Sequence, residues 1–229
     1  MLKHLGKEIW IFDGAPVEVL GFQYPTRMAI IRLANRELFV WSPIAASDSL
    51  MSECNALGQV THIVAPNSLH HLSIPQWSSA YPQAKVYAPP RLRQKRTDIL
   101  FDDDLCNSPM PAWMKEIDQV VFQGNRITDE VVFFHQQSGT VLFTDLLQQF
   151  PDEWFSGWRR LVAKFDKMIA SEPSVPRKFQ LAFTDRKAAR VSLENILSWP
   201  AQTVVMAHGN PVTEDAQAFL QRAFGWLSD

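Results

Sequence analysis

The chain has 229 residues, 46% of them hydrophobic and 20% charged, with a formal net charge of −2 at pH 7, which is the balance of a globular protein. That charge gives no broad basic footprint for a nucleic-acid backbone, and no apolar run approaches the ~20 residues needed to span a bilayer. Met1–Lys7 lacks the apolar core of a signal peptide, and the two cysteines, Cys54 and Cys106, show neither metal-ligand nor disulfide spacing, so they read as reduced thiols of a cytoplasmic protein.

Taken in order, the elements are mixed α/β. Glu8–Phe12 reads as a strand, Met28–Leu33 as a second, Ala34-Asn35-Arg36 as a turn and Glu37–Trp41 as a third strand. Ser47 and Asp48 predict the cap of a short helix through Leu57, ended by Gly58. Val60–Ala65 is a strand, Ile74–Ala80 a helix and Ala84–Ala88 another strand. The basic stretch Pro89–Arg96 and the acidic Asp102-Asp103-Asp104 read as solvated loop.

Ile117–Phe122 and Glu130–His135 are strands, and Thr140–Thr144 returns across Gln137-Ser138-Gly139. A long helix is predicted over about 152–170. Its apolar residues, from Trp154 to Ile169, keep to one face, which is expected to pack on a sheet. With Arg159, Arg160, Lys164 and Lys167 off that face, a lid, a partner surface or a membrane-lying helix are the other readings. Helices over about 186–199 and 214–227 flank the strand Thr203–Ala207. Strand-rich halves with attached helices fit two sheets with helices outside. No linker-like polar stretch divides them, so one domain over residues 1–229 is expected.

Three polar clusters end apolar, β-like runs: Pro66-Asn67-Ser68-Leu69-His70-His71, Thr144-Asp145 and His208-Gly209. One such terminus usually caps a strand or faces water. Here three of the chain's six histidines fall in these clusters, and three imidazoles with one carboxylate suit a divalent transition metal. Pro66 and Asn67 supply the break from strand that adjacent histidines need.

The order and context of these clusters resemble the metallo-β-lactamase superfamily, with its His-x-His-x-Asp-His loop, bridging Asp and late His-Gly. Pro25-Thr26-Arg27-Met28, Ala65-Pro66-Asn67, Phe134-His135, Thr144-Asp145-Leu146-Leu147 and Asp185-Arg186 are closer to one branch without an established activity. The resemblance runs from about Glu8 to Val212 and implies an α/β (α+β) fold, an αββα sandwich of two mixed sheets with outer helices.

It also implies a metal set of His70, His71, Asp145 and His208. Pro66 and Ser68 stand where the first two histidines belong, and Arg126 is what the chain offers near a third. One metal position is therefore expected to be missing. His70 stands where the superfamily has Asp, which leaves a bound ion more net positive charge. Asp145 doubles as the candidate catalytic residue. Arg27 and Arg186 are candidates either to grip a substrate carboxylate or phosphate or to form structural ion pairs. Asn67 and His135 are candidate supporting neighbours, and His62 is simplest as a strand side chain.

The expected cofactor is one divalent transition metal, zinc first, with iron or manganese as alternatives. Three functional classes follow. One is a metal-dependent hydrolase of a small molecule, in which the metal activates water. A second is a non-catalytic descendant that binds a ligand or partner. The third is an iron-type redox or sensing protein.

Overall fold

The computed structural model describes residues 1–227. Two β-sheets pack face to face, with helices on both outer faces. The first is seven-stranded in the order β1(Lys3–Gly6), β2(Ile9–Val19), β3(Phe22–Arg32), β4(Glu37–Trp41), β5(Gln59–Val64), β6(Lys85–Ala88), β7(Asp103–Asp104). The second has four strands in the order β11(Thr203–His208), β10(Thr140–Gln148), β9(Glu130–His135), β8(Ile117–Phe122). Both are mixed: β4 to β7 run parallel in the first and β10 with β11 in the second, while the other pairs are antiparallel. The predicted αββα sandwich is what the structure shows.

The two-residue period of the strands builds this layering. In β3, Ala29 and Ile31 point between the sheets and Met28 and Ile30 point outward. In β9, Val131 and Phe133 face inward, whereas Val132 and Phe134 face the outer helices. Strands buried on both faces read as near-continuous apolar runs; β9 and β10 are buried throughout, apolar through Val131–Phe134 and Val141–Phe143 and polar towards their ends. Helices α1(Asp48–Leu57) and α2(Ile74–Ala80) cover the first sheet, through Leu50, Cys54 and Trp77. The side chain of Ser47 caps α1 by accepting from the Leu50 N–H.

Three sequence expectations fail here. The acidic stretch read as loop contributes β7, since Asp103 and Asp104 pair with Tyr87 and Ala88. The basic stretch after Pro89 is a short helix, α3(Pro90–Lys95), because proline fits the first helical turn and Leu92 is buried. The long helix expected over 152–170 is only α4(Gly157–Phe165). Gly157 and Lys167 adopt positive φ of 56° and 59° and interrupt the helical backbone at both sides. Its apolar face is mostly left open: Trp158, Leu161 and Phe165 are 58%, 71% and 71% exposed, and contact with the first sheet is limited to the Phe22 end of β3, through Trp158 and the buried Ala163. The chain continues through α5(Arg177–Ala182), α6(Arg186–Leu197) and α7(Ala216–Ala223); α6 and α7 cover the second sheet. Both cysteines are free, and burial pushes the Cys54 thiol up to about 12. Among the described residues no helix is long and apolar enough to cross a membrane.

Candidate metal centre

The site lies where the two sheets meet at one end. It begins with an interruption in β10. Thr140 to Leu142 pair with β9, and Thr140 to Phe143 pair with β11. The β11 register then shifts, and the next partners are Gln148 and His208. The freed N–H groups of Thr144, Asp145 and Leu146 turn to the Glu130 carboxylate at 2.7, 2.8 and 3.1 Å. One buried side chain thus takes over the role of a backbone ladder, as buried N–H groups require. Val131, next to it, donates to the Pro66 carbonyl at 2.8 Å and joins the second sheet to the loop after β5.

That loop is shaped by Asn67. Its side-chain oxygen accepts from the N–H groups of Leu69 and His70 at 2.8 and 2.9 Å, a local turn typical of asparagine. Its amide nitrogen donates to Asp145 Oδ2 at 2.7 Å and Thr144 Oγ1 at 2.8 Å. Asn67 is fully buried and sets the position of both His70 and Asp145.

His70, Asp145 and His208 come together with one ligand atom from each within 4.8 Å of the others. His70 Nε2 is 3.2 Å from Asp145 Oδ2, and His208 Nε2 is 3.3 Å from Asp145 Oδ1. The far nitrogens are engaged too. His70 Nδ1 meets Ser42 Oγ at 2.8 Å. His208 Nδ1 donates to the Pro25 carbonyl at 2.6 Å, and Tyr24 packs edge-on against its ring.

This donor set suits a cation. A carbonyl can only accept, so His208 Nδ1 carries its proton, and in the neutral ring Nε2 is then a bare lone pair facing a carboxylate oxygen. Two lone pairs at that distance need a positive charge between them, either a proton or a metal ion. Two ligands each ~2.0–2.1 Å from a zinc stand about 3.3 Å apart; each contact taken alone has that spacing, with the two imidazoles on different oxygens of the one carboxylate. Burial alone would raise the Asp145 carboxyl, but His70 and His208 together hold it well below the usual range. Burial and the Asp145 charge push Glu130 up. Its hydrogen bonds are nevertheless those of an anion, since its neighbours on Thr144, Asp145, Leu146 and Asn67 are all N–H donors.

The remaining sequence candidates lie outside this cluster, although His71 lines the cavity above it. His71 is outside the cluster: its Nδ1 accepts from Arg96 at 2.7 Å. Burial, then Lys95 and Arg96, lower its pKa to about 4. Arg27 pairs with Asp13 at 2.7 Å and donates to the carbonyls of Met206 and Gly209, so it clamps the end of β11 to β3. It faces a neighbouring cavity. Arg186 is exposed at the start of α6, with its guanidinium over the Trp226 ring. His135 pairs with Thr140, five residues of β10 or about 17 Å from Asp145 at ~3.4 Å per residue; its Nδ1 bonds Ser138 Oγ at 2.7 Å. His62 lies in β5 beside Glu37 at 3.4 Å.

Two residues that sequence reasoning passed over matter here. Glu130 had a signal: it is a charged residue opening the otherwise apolar run Val131-Val132-Phe133-Phe134. Lys178 had none. Its ammonium lies 3.1 Å from Tyr24 Oη and 3.3 Å from Asp166 Oδ2. Burial opposes its charge, yet Tyr24, Asp166 and Asp145 hold its pKa above the usual lysine value. Lys178, His70, Asp145 and His208 all line one cavity of about 800 Å³.

The fold is that of the metallo-β-lactamase class. The metallo-β-lactamase from Pontibacter korlensis superposes with a TM-score of 0.65 at 12% identity, over 100% of this chain and 99% of that one. The DIM-1 metallo-β-lactamase exposed to ceftazidime gives 0.67 at 13%, over 99% and 96%. The metal-soaked Flv1 flavodiiron core from Synechocystis sp. PCC6803 gives 0.68 at 12%, over 100% and 60%. Within that class the chain belongs to DUF4336, a domain family of unknown function, which it matches over residues 6–156. No curated protein matches it.

Proposed function

We propose that this chain is a metal-dependent hydrolase acting on a small molecule, with one divalent ion held by His70, Asp145 and His208. The observation that carries this reading is His208 Nε2 facing Asp145 Oδ1 at 3.3 Å while Nδ1 is committed to the Pro25 carbonyl, a contact that requires a positive charge between the two atoms. The similarity to metallo-β-lactamases supports it. Two imidazoles and a carboxylate leave an open position for water or substrate.

When bound, the ion would lower the pKa of a water and polarise an acyl or phosphoryl oxygen. The chain's own groups supply the rest. Asp145, held deprotonated by its two histidines, orients a water by accepting its hydrogen bond. Asn67 fixes the carboxylate from behind. Ser42 and Pro25 fix the two imidazole rings. Zinc is the first candidate. A two-histidine, one-carboxylate set also suits iron, and the likeness to a flavodiiron core favours that second reading.

Elemental analysis of protein purified without chelator is expected to give about one metal per chain. Asp145→Ala and His208→Ala are expected to lose it, while His71→Ala keeps it. Two metals per chain would overturn the single site, and none after zinc, iron and manganese have each been supplied would overturn metal use. Metal identity separates the zinc and iron readings.

A further inference from the structure

The cavity above the cluster has two unlike ends. Its floor carries His70, Asp145 and His208, while its wall is mainly apolar, with Val17, Phe22, Ile44, Met168 and Phe179. At the lip, Leu20, Leu72 and Val162 line the cavity and are yet 93%, 63% and 44% exposed. Apolar side chains that edge an apolar cavity mark a site whose occupant is itself largely apolar. Lys178 projects into the same space. Two of its N–H donors meet Tyr24 and Asp166, and its further contacts are weak ones, the thioether of Met168 at 3.9 Å and the Phe179 ring 5.5 Å away. An ammonium so placed has a donor direction to offer an anionic oxygen.

We propose that this cavity takes a single-chain amphiphile with a carboxyl-level head: the hydrocarbon chain lies along the Val17–Phe22 wall and leaves past Leu20, and the head lies between Lys178 and the His70–Asp145–His208 cluster. The inference rests on the hydrolase reading for its chemistry. In that chemistry the oxygen of water bonds to the acyl carbon, the bond from that carbon to its leaving group breaks, and the leaving group departs with a proton. The free fatty acid is the product, held by Lys178.

The test is calorimetric titration of the full chain with octanoate, decanoate and dodecanoate, and with 1-decanol. Affinity is expected to rise about two- to four-fold per methylene, the scale of burying one CH₂. Lys178→Met is expected to weaken the carboxylates about ten-fold or more, as for a lost hydrogen bond to a charged group, and to leave decanol within about two-fold. Leu20→Asp and Leu72→Asp, at exposed positions, are expected to flatten the chain-length dependence while keeping the wild-type circular dichroism.

A wild-type affinity independent of chain length would overturn the proposal. So would an equal loss of decanol and decanoate in Lys178→Met. A dimer that Leu20→Asp dissociates and decanoate does not would assign the lip to a second copy of the chain, and would also overturn it. Elemental analysis of the same wild-type protein separates the two readings. Chain binding by wild-type protein that takes up no zinc, iron or manganese refutes only the hydrolase, and one metal per chain without chain binding refutes only this inference.

Discussion

Glu130→Gln tests how the site is held together. The native carboxylate accepts from three backbone N–H groups, on Thr144, Asp145 and Leu146, and from the Asn67 amide at 3.4 Å. A glutamine has one acceptor oxygen. If that oxygen replaces Oε2, the N–H groups of Asp145 and Leu146 keep a partner, but that of Thr144 faces an NH₂ group. An unpaired buried donor costs about 1–3 kcal/mol, and each retained bond falls from charge-assisted to neutral, roughly half its strength. Relief of the repulsion with Asp145 offsets part of this. The expected net loss is about 2–4 kcal/mol, or about 5–15 °C in Tm for a chain of this size. Metal affinity is expected to fall about ten-fold, because the displaced backbone carries Asp145. Denaturant titration and calorimetry read the first effect, and competition with a chelating dye reads the second. A stability change under about 0.5 kcal/mol with unchanged metal affinity would mean that Glu130 is a neutral acid and that the ladder of charge-assisted bonds described above is mistaken.

Other outcomes are expected on the same grounds. Asn67→Ala frees the turn that presents His70 and should weaken metal binding about 10- to 100-fold, measured against a chelator; an unchanged affinity would remove Asn67 from the support of the site. Burial holds His135 down to about 4, below its unfolded value of ~6.5. Its contribution to stability is therefore complete above pH 6.5 and is lost as pH falls towards 4, at about 1.4 kcal/mol per unit. His135→Phe should flatten the pH dependence of denaturation midpoints by about that slope, and an unaltered slope would refute the assignment. Gly124 adopts φ of 91°, and an added Cβ would stand 2.2 Å from the Asp185 carbonyl; Gly124→Ala should cost roughly 2–4 kcal/mol by thermal melting, against no change if the turn simply opens.

Most of the fold could be read from the chain because its strands are buried on one or both faces and so carry a strong apolar signature. Glu37–Trp41, Ile117–Phe122 and Glu130–His135 coincide with β4, β8 and β9. The segment around α4 was not legible, since apolar spacing on one helical face cannot distinguish a core contact from the lip of a cavity; Val162 lines that lip. The cluster was partly legible. His208 ends β11, Asp145 stands at the break within β10 and His70 lies in the loop after β5, and the structure brings them together. His71 could not be separated from His70 by sequence, because the deciding contact is with Arg96, 25 positions away. Lys178 reaches the cavity only through the packing of α5, which leaves no local trace.

The position of the cluster has a consequence for how the chain folds and unfolds. His70 hangs from the seven-stranded sheet, while Asp145 and His208 belong to the four-stranded one. Neither sheet alone can assemble the three groups, so they meet only after the two have docked and long loops have closed. A cation bound there would act as a rivet across the seam. At a free concentration 100 times its dissociation constant it would add about 2.7 kcal/mol to the docked state and nothing to either sheet apart. Loss of the ion would then loosen the joint between the sheets before it loosened either sheet, and hydrogen exchange along that seam would be the first to quicken.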